Sequence, residues 1–64
     1  MNLGEIGLII KNRRRQLKIT QQDLADFSEV NINTIVSIER GKGNPKFLTV
    51  NNICKVLGLE ITIK

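Results

Sequence analysis

The chain has 64 residues and contains no histidine, tryptophan or tyrosine, and it has a single cysteine and a single proline. One cysteine cannot close a disulfide within the chain, and without histidine too few ligands remain for a zinc site. The apolar runs fall far short of the roughly 20 residues that cross a bilayer. These shortages exclude a disulfide-stapled domain and predict a protein with no bound metal and no contact with a membrane.

The same shortages argue against catalysis. The sequence offers no nucleophile beside a general base and no glycine-rich loop that could cradle a phosphate. A chain of this length also builds a core that is too small to enclose a substrate pocket. We therefore expect neither an enzyme nor a protein that holds a cofactor.

Small size and positive charge point to partners. A domain this short leaves much apolar surface near solvent, so it usually needs a metal, a crosslink or self-association, and only self-association remains as a candidate here. Ten Lys and Arg against six Asp and Glu give a net charge of +4. The excess is concentrated in residues 11–18 and 40–46. Such clusters suit phosphate, although a solvated basic face has the same composition.

Apolar spacing and capping residues predict four helices. The predicted helices cover residues 3–17, 21–28, 32–40 and 47–57. Asn2, Thr20 and Asn31 are suitable N-caps for the first three. Gly41 and Gly58 suit the left-handed positions that end the third and fourth helices.

The last six residues change period. Leu59, Ile61 and Ile63 alternate with polar residues, which is typical of a half-buried strand. No other segment is a convincing strand, so the backbone of this one has no partner in its own chain. We predict that residues 59–64 pair antiparallel with the same segment of a second copy, adding a dimerisation strand to an otherwise all-α fold. A disordered tail is the alternative.

Residues 20–41 encode two short helices and a tight turn, with polar residues on the exposed face of the second helix. With their flanks they match the pattern TQ..LA....V...TI..IE.GK..P. The matching residues are Thr20, Gln21, Leu24, Ala25, Val30, Thr34, Ile35, Ile38, Glu39, Gly41, Lys42 and Pro45. The chain thus resembles the lambda repressor/Cro-type, or Xre-like, helix-turn-helix family. The resemblance implies a compact four-helix DNA-binding domain over residues 1–58, with its recognition helix at about residues 32–40.

In this interpretation the third helix enters the major groove of double-stranded DNA. The candidate base-reading residues are Asn31, Ile32, Asn33, Val36 and Ser37. An asparagine amide can bond N6 and N7 of adenine, a hydroxyl can donate or accept, and an aliphatic side chain can cover a thymine methyl. Asn31 has a competing role as the cap of the third helix.

Phosphate contacts are expected from residues around both ends of the motif. The resemblance implies that Gln21 touches the DNA backbone, and the N-terminus of its helix attracts phosphate oxygens. Thr34, Arg40 and Lys42 are assigned to the same task. Three further cations either add to these contacts or form a solvated face: Arg13, Arg15 and Lys18.

The resemblance also implies a partly buried ion pair between Arg14 and Glu39, which we interpret as structural. The chain departs from the family pattern at Glu29, where glycine commonly adopts the left-handed conformation. Either the turn takes another geometry at Glu29 or its strain is absorbed elsewhere.

These features predict a cytoplasmic, sequence-specific DNA-binding regulator that acts as a dimer on a two-fold symmetric operator and represses its own operon. The C-terminal strand also resembles that of the HipB-like subgroup, antitoxins that dimerise through such a strand and accompany a toxin kinase. The alternative function is an antitoxin whose main task is to bind and neutralise a toxin protein. A cytoplasmic location agrees with the lone thiol and with residues 8–10, a brief apolar run unlike a secretory signal.

Overall fold

The computed structural model describes residues 2–62, and these residues form four helices. The helices are α1 (Leu3–Gln16), α2 (Gln21–Ser28), α3 (Ile32–Glu39) and α4 (Phe47–Val56). The four predicted helices are confirmed, each with ends within one residue of the expected position. None of the helices in this part of the chain is long and apolar enough to cross a membrane.

One core holds the four helices together. Its largest fully buried side chains come from every helix and from the residue that follows α4: Ile10, Leu24, Ile35, Ile53 and Leu57. Burying an aliphatic side chain of this size stabilises the fold by about 1.5–3 kcal/mol. α3 packs against both α1 and α2, and α2 packs in turn against α4. The inner side of α3 is therefore fixed by two other helices.

α1 and α3 approach each other closely at Gly7. A Cβ atom on residue 7 would lie 2.0 Å from the carbonyl oxygen of Ile38. No side chain fits in that space. Gly7 weakens α1 as an isolated helix, and it is also the residue that lets α1 lie directly on the backbone of α3.

Three of these four helices begin at a capping side chain, namely Asn2, Thr20 or Asn31. At α2 the cap is reciprocal: Asp23 N donates to Thr20 Oγ1 over 3.0 Å, and Thr20 N donates to Asp23 Oδ2 over 2.9 Å. The start of α4 differs, since Lys46 makes no side-chain hydrogen bond to cap it. α2 and α3 are thus better defined at their N-termini than α4.

The four helices end in the same way, in a Schellman motif whose two amides donate back to carbonyls of the last turn. The residues that adopt a positive φ in these motifs are Lys18, Glu29, Gly41 and Gly58. The two glycines were predicted there, whereas Lys18 was not. Glu29 keeps the left-handed geometry, with φ 55° and ψ 42°, so the turn does not change shape to suit the larger side chain.

Residues 59–62 leave α4 without regular secondary structure. Leu59 and Ile61 are half-buried and pack against the core. Ile63, the third apolar residue of the predicted strand, lies outside the described residues. A strand that pairs with a second copy has no partner within one chain, so the dimerisation strand stays a prediction.

Candidate nucleic-acid interface

The outer edge of α3 presents polar side chains to solvent. Asn33 is exposed, and Ser37, one turn further along, is partly exposed. On the opposite side of the helix, Ile35 and Ile38 are 0% and 4% exposed. α3 therefore holds an amide and a hydroxyl outward on a firmly packed base, which is the arrangement that base edges in a major groove require.

Two aliphatic residues of α3 were predicted to read bases beside these polar groups. Ile32 is half-buried and packs against the core, so part of its surface is already used in folding. Val36 is also half-buried, but it does not belong to the core cluster or to the described residues packed against it. Of the two, Val36 is the better placed to cover a thymine methyl.

Asn31 had two candidate roles, and the structure shows it in one of them. Its Oδ1 accepts a hydrogen bond from Asn33 N at 2.7 Å and caps α3. A bidentate contact with adenine needs the amide oxygen as well as the amide nitrogen. Because the cap engages the oxygen of Asn31, the exposed Asn33 is the stronger candidate for that contact.

α3 and the loop that follows it line a shallow depression of about 300 Å³. Its lining residues are Asn33, Thr34, Ser37, Ile38, Lys42, Gly43, Asn44 and Pro45. Predicted base-reading residues and predicted phosphate contacts thus share one surface. The side chain of Asn44 was not predicted to belong to this surface. The sequence did contain a usable signal, since Asn44 is a polar residue between Gly43 and Pro45 just beyond the recognition helix.

The loop after α3 is held in place by its own backbone. Gly41 N donates to the Ile38 carbonyl and Lys42 N donates to the Ser37 carbonyl, both over 2.9 Å. This anchors Lys42 beside the last turn of α3 while its side chain stays exposed, as does that of Arg40. Two cations therefore lie next to the polar edge of α3, where phosphate oxygens would flank a groove-bound helix.

Arg14 and Glu39, expected as a structural ion pair, join α1 to the last residue of α3. Arg14 Nε lies 2.7 Å from Glu39 Oε2, and Arg14 Nη2 donates to Oε1 over 3.0 Å. Arg14 Nη1 also donates to the carbonyl of Ile19 over 2.9 Å. The hydrogen bond to Glu39 raises the pKa of Arg14 above its ordinary value. With side chains only 11% and 3% exposed, this two-point pair fixes where α3 ends.

Gln21 was predicted to contact phosphate, but its side chain has an internal partner. Gln21 Nε2 donates to Glu39 Oε1 over 3.1 Å, which adds α2 to the link between α1 and α3. A phosphate contact at this position stays a prediction, and it rests mainly on the backbone amides of the first turn of α2.

The basic cluster of α1 does not act as one surface. Arg13 Nε donates to the Leu57 carbonyl over 2.9 Å and so holds α1 against the end of α4. This structural role was not predicted. Arg15 and Lys18 are exposed, which agrees with a phosphate contact and with a solvated face.

Cys54 lies away from this interface, on the buried side of α4. Burial raises the pKa of its thiol, which therefore stays protonated and packs as a small apolar group.

Known proteins resemble this chain in sequence and in fold. An uncharacterized HTH-type transcriptional regulator from Methanothermobacter thermautotrophicus (strain Delta H) is 33% identical over 52 residues, which cover 81% of this chain and 75% of that relative. The crystal structure of the wild-type restriction-modification controller protein C.Esp1396I superposes with a TM-score of 0.83 and 31% identity, covering 91% of this chain and 75% of that one. A point mutant of the same controller protein gives a TM-score of 0.83 and 30% identity over 94% of this chain and 80% of its own.

The sequence profile of the Helix-turn-helix family matches residues 10–64, most of the chain. The match spans the capped α2, the turn at Glu29 and the outward-facing α3, the three parts from which the interface is built. The resemblance inferred from the sequence is thereby confirmed, and the chain belongs to the lambda repressor-like, or Xre-like, helix-turn-helix family of DNA-binding regulators.

Proposed function

We propose that the protein is a sequence-specific DNA-binding transcriptional regulator that inserts α3 into the major groove and represses its own operon. The observation that carries this proposal is the surface around the 300 Å³ depression, where Asn33, Ser37 and Lys42 meet. Amide, hydroxyl and cationic groups together supply both kinds of contact that DNA recognition needs.

The contacts divide by chemistry. Asn33 pairs with an adenine edge, Ser37 bonds a base one turn further along, and Val36 covers a thymine methyl. Thr34, Arg40 and Lys42 hold the flanking phosphates, together with the first turn of α2.

The proposed active form is a homodimer in the cytoplasm. Two copies related by a two-fold axis would place their α3 helices on successive turns of the major groove, about 34 Å apart. The predicted pairing of residues 59–64 between copies would set that separation. Leu59 and Ile61, which already face the core of one copy, would stay covered in the pair.

Selection of bound sequences from a random duplex library tests the proposal, because such a library favours no operator in advance. We expect enrichment of an inverted repeat whose half-site centres lie about 10 base pairs apart. Retrieval of the same repeat upstream of the protein's own gene would support autorepression. Recovery of no preferred sequence over random duplex at moderate salt would contradict sequence-specific binding.

The salt dependence of binding tests the phosphate contacts separately. Replacing Lys42 with alanine should lower the slope of log affinity against log salt by about one unit while leaving the preferred sequence unchanged. Lys55→Ala is the matched control, since Lys55 is also exposed, on α4, and does not line the depression. Equal slopes for the two variants would contradict the assignment of Lys42 to phosphate.

The antitoxin alternative requires a second protein surface, and one observation favours it. Phe27 on α2 is 63% exposed, although an aromatic side chain normally buries more of its surface. A toxin protein encoded beside this chain would co-purify with it, and Phe27→Ala would release that partner. Persistence of the complex in that variant would count against Phe27 as the contact.

A further inference from the structure

A larger groove lies between α1, α4 and the residues that follow α4. It has a volume of about 580 Å³ and is lined mainly by aliphatic and aromatic side chains, including Ile6, Ile9, Phe47, Val50 and Ile61. No residue of α3 lines it. An open apolar groove of this size on so small a domain is a surface from which a partner would exclude water.

One exposed aromatic residue at the edge of this groove could enter the same groove of a second copy. Phe47 begins α4 and contributes to the groove wall, yet it is 54% exposed. Because the concave and projecting parts belong to one surface, that surface can complement itself about a two-fold axis, as closed dimers require. Buried aromatic side chains are the usual anchors of such interfaces.

Charge also favours a second copy as the occupant. Two copies with a net charge of +4 repel each other over most of their surface, whereas the one charged residue among the described residues that line the groove is Glu60. Lys46 is exposed and directly precedes Phe47. If Phe47 of one copy enters the groove of the other, Lys46 approaches Glu60 of that other copy, and opposite charges meet at the rim.

We infer that this groove is the dimer interface and that each copy seats the partner's Phe47 in it. The inference rests on the proposed homodimer and identifies its contact surface. It leaves the outer edge of α3 uncovered, so that both recognition helices stay accessible to DNA while the copies are associated.

Sedimentation equilibrium of the full chain and two alanine variants tests the inference. Phe47→Ala should raise the dimer dissociation constant by at least about tenfold, as expected for loss of a buried aromatic anchor. Leu8→Ala is the control, because Leu8 is 56% exposed, close to the 54% of Phe47, but is not among the residues that line the groove, and its dissociation constant should stay within about twofold of the wild-type value. Equal dissociation constants for the two variants would overturn the assignment.

Charge reversal gives a second readout that leaves the groove wall intact. Lys46→Glu and Glu60→Lys should each weaken association by about two- to fivefold, and the double variant should recover it, since exposed pairs contribute modestly. Additive weakening in the double variant would overturn the proposed contact.

A wild-type chain that stays monomeric but selects a DNA sequence would overturn the groove assignment and leave DNA reading by α3 intact. A dimer unaffected by any groove variant would reject the groove and leave the tail pairing as the interface.

Discussion

The two chain reversals on either side of α3 use the same backbone geometry under different constraints. Before α3, Glu29 holds the left-handed position with φ 55°. After α3, Gly41 holds it with φ 71°, and a Cβ atom there would lie 2.8 Å from Gly4 Cα. At Glu29 the constraint is the positive φ alone. At Gly41 the residue must also leave room for the backbone of α1.

The difference shows which end of α3 is fixed by packing. At its start α3 depends on local contacts, chiefly the Asn31 cap. At its end the Arg14–Glu39 pair, the hydrogen bond from Gln21 and the close approach at Gly41 bind it to α1 and α2. Substitutions at the end of α3 should therefore cost more stability than substitutions at its start.

The largest expected effect comes from breaking the ion pair at the end of α3. Glu39→Ala leaves Arg14 buried without its partner and also frees Gln21, so the free energy of unfolding should fall by about 3 kcal/mol. Chemical denaturation measures the change. Glu5→Ala, which removes an exposed carboxylate from the first turn of α1, is the control and should lower stability by less than about 1 kcal/mol, the contribution of a charge at a helix end. Similar small losses in both variants would show that the pair contributes little.

The next effect separates two constraints on Gly41, the backbone strain of its positive φ and the steric contact with Gly4. Gly41→Ala should destabilise the fold by about 2 kcal/mol or more, because the new methyl group meets the backbone of Gly4 in addition to the strained φ. Gly43→Ala is the matched control. Gly43 also has a positive φ, 80°, but its nearest neighbour would be 3.8 Å away, so only about 1 kcal/mol should be lost. Equal losses at the two positions would contradict the close approach of α1.

A gain in stability is expected from a substitution at Glu29, in the turn before α3. Glu29→Gly should raise the free energy of unfolding by about 1 kcal/mol, because it relieves the left-handed strain and removes a negative charge from the C-terminal end of α2. Glu29→Ala removes the same charge and keeps the strain, so the difference between the two variants isolates the backbone contribution. No gain from glycine over alanine would mean that the turn carries no strain.

The smallest effect is expected next to that turn. Ser28 is buried, and its hydroxyl donates to the Leu24 carbonyl within the same helix. Ser28→Ala removes a hydroxyl that competes with the helix backbone, and it leaves no buried donor unpaired. The free energy of unfolding, measured by thermal denaturation, should therefore change by less than about 0.5 kcal/mol. A loss above about 1 kcal/mol would show that this hydrogen bond contributes to the start of the turn.

Sequence alone predicted the four helices and the outward position of the polar residues of α3, because both depend on local signals. The caps Thr20 and Asn31, the stop at Gly41 and the spacing of Ile35 and Ile38 are visible as residue types at fixed intervals. The family resemblance added the Arg14–Glu39 pair, whose partners are 25 positions apart and cannot be paired from periodicity.

What the sequence left open depends on side-chain geometry in three dimensions. The internal hydrogen bond of Gln21, the contact of Arg13 with the end of α4 and the choice of Asn31 for capping follow from distances that no spacing rule encodes. The turn at Glu29 could not be decided either, because residue spacing does not show whether the backbone adopts a positive φ at a residue other than glycine. The strand at residues 59–64 depends on a second chain and is still a prediction.

The most direct test of the account asks whether the outer edge of α3 reads bases. The measurement is the ratio of affinities for the selected repeat and for random duplex at one salt concentration, with Asn33→Ala compared against Asn52→Ala, an exposed asparagine on α4. Loss of a bidentate adenine contact should lower the ratio for Asn33→Ala by about 5- to 150-fold, while Asn52→Ala keeps the wild-type ratio. An Asn33→Ala protein with the full wild-type ratio would contradict the account.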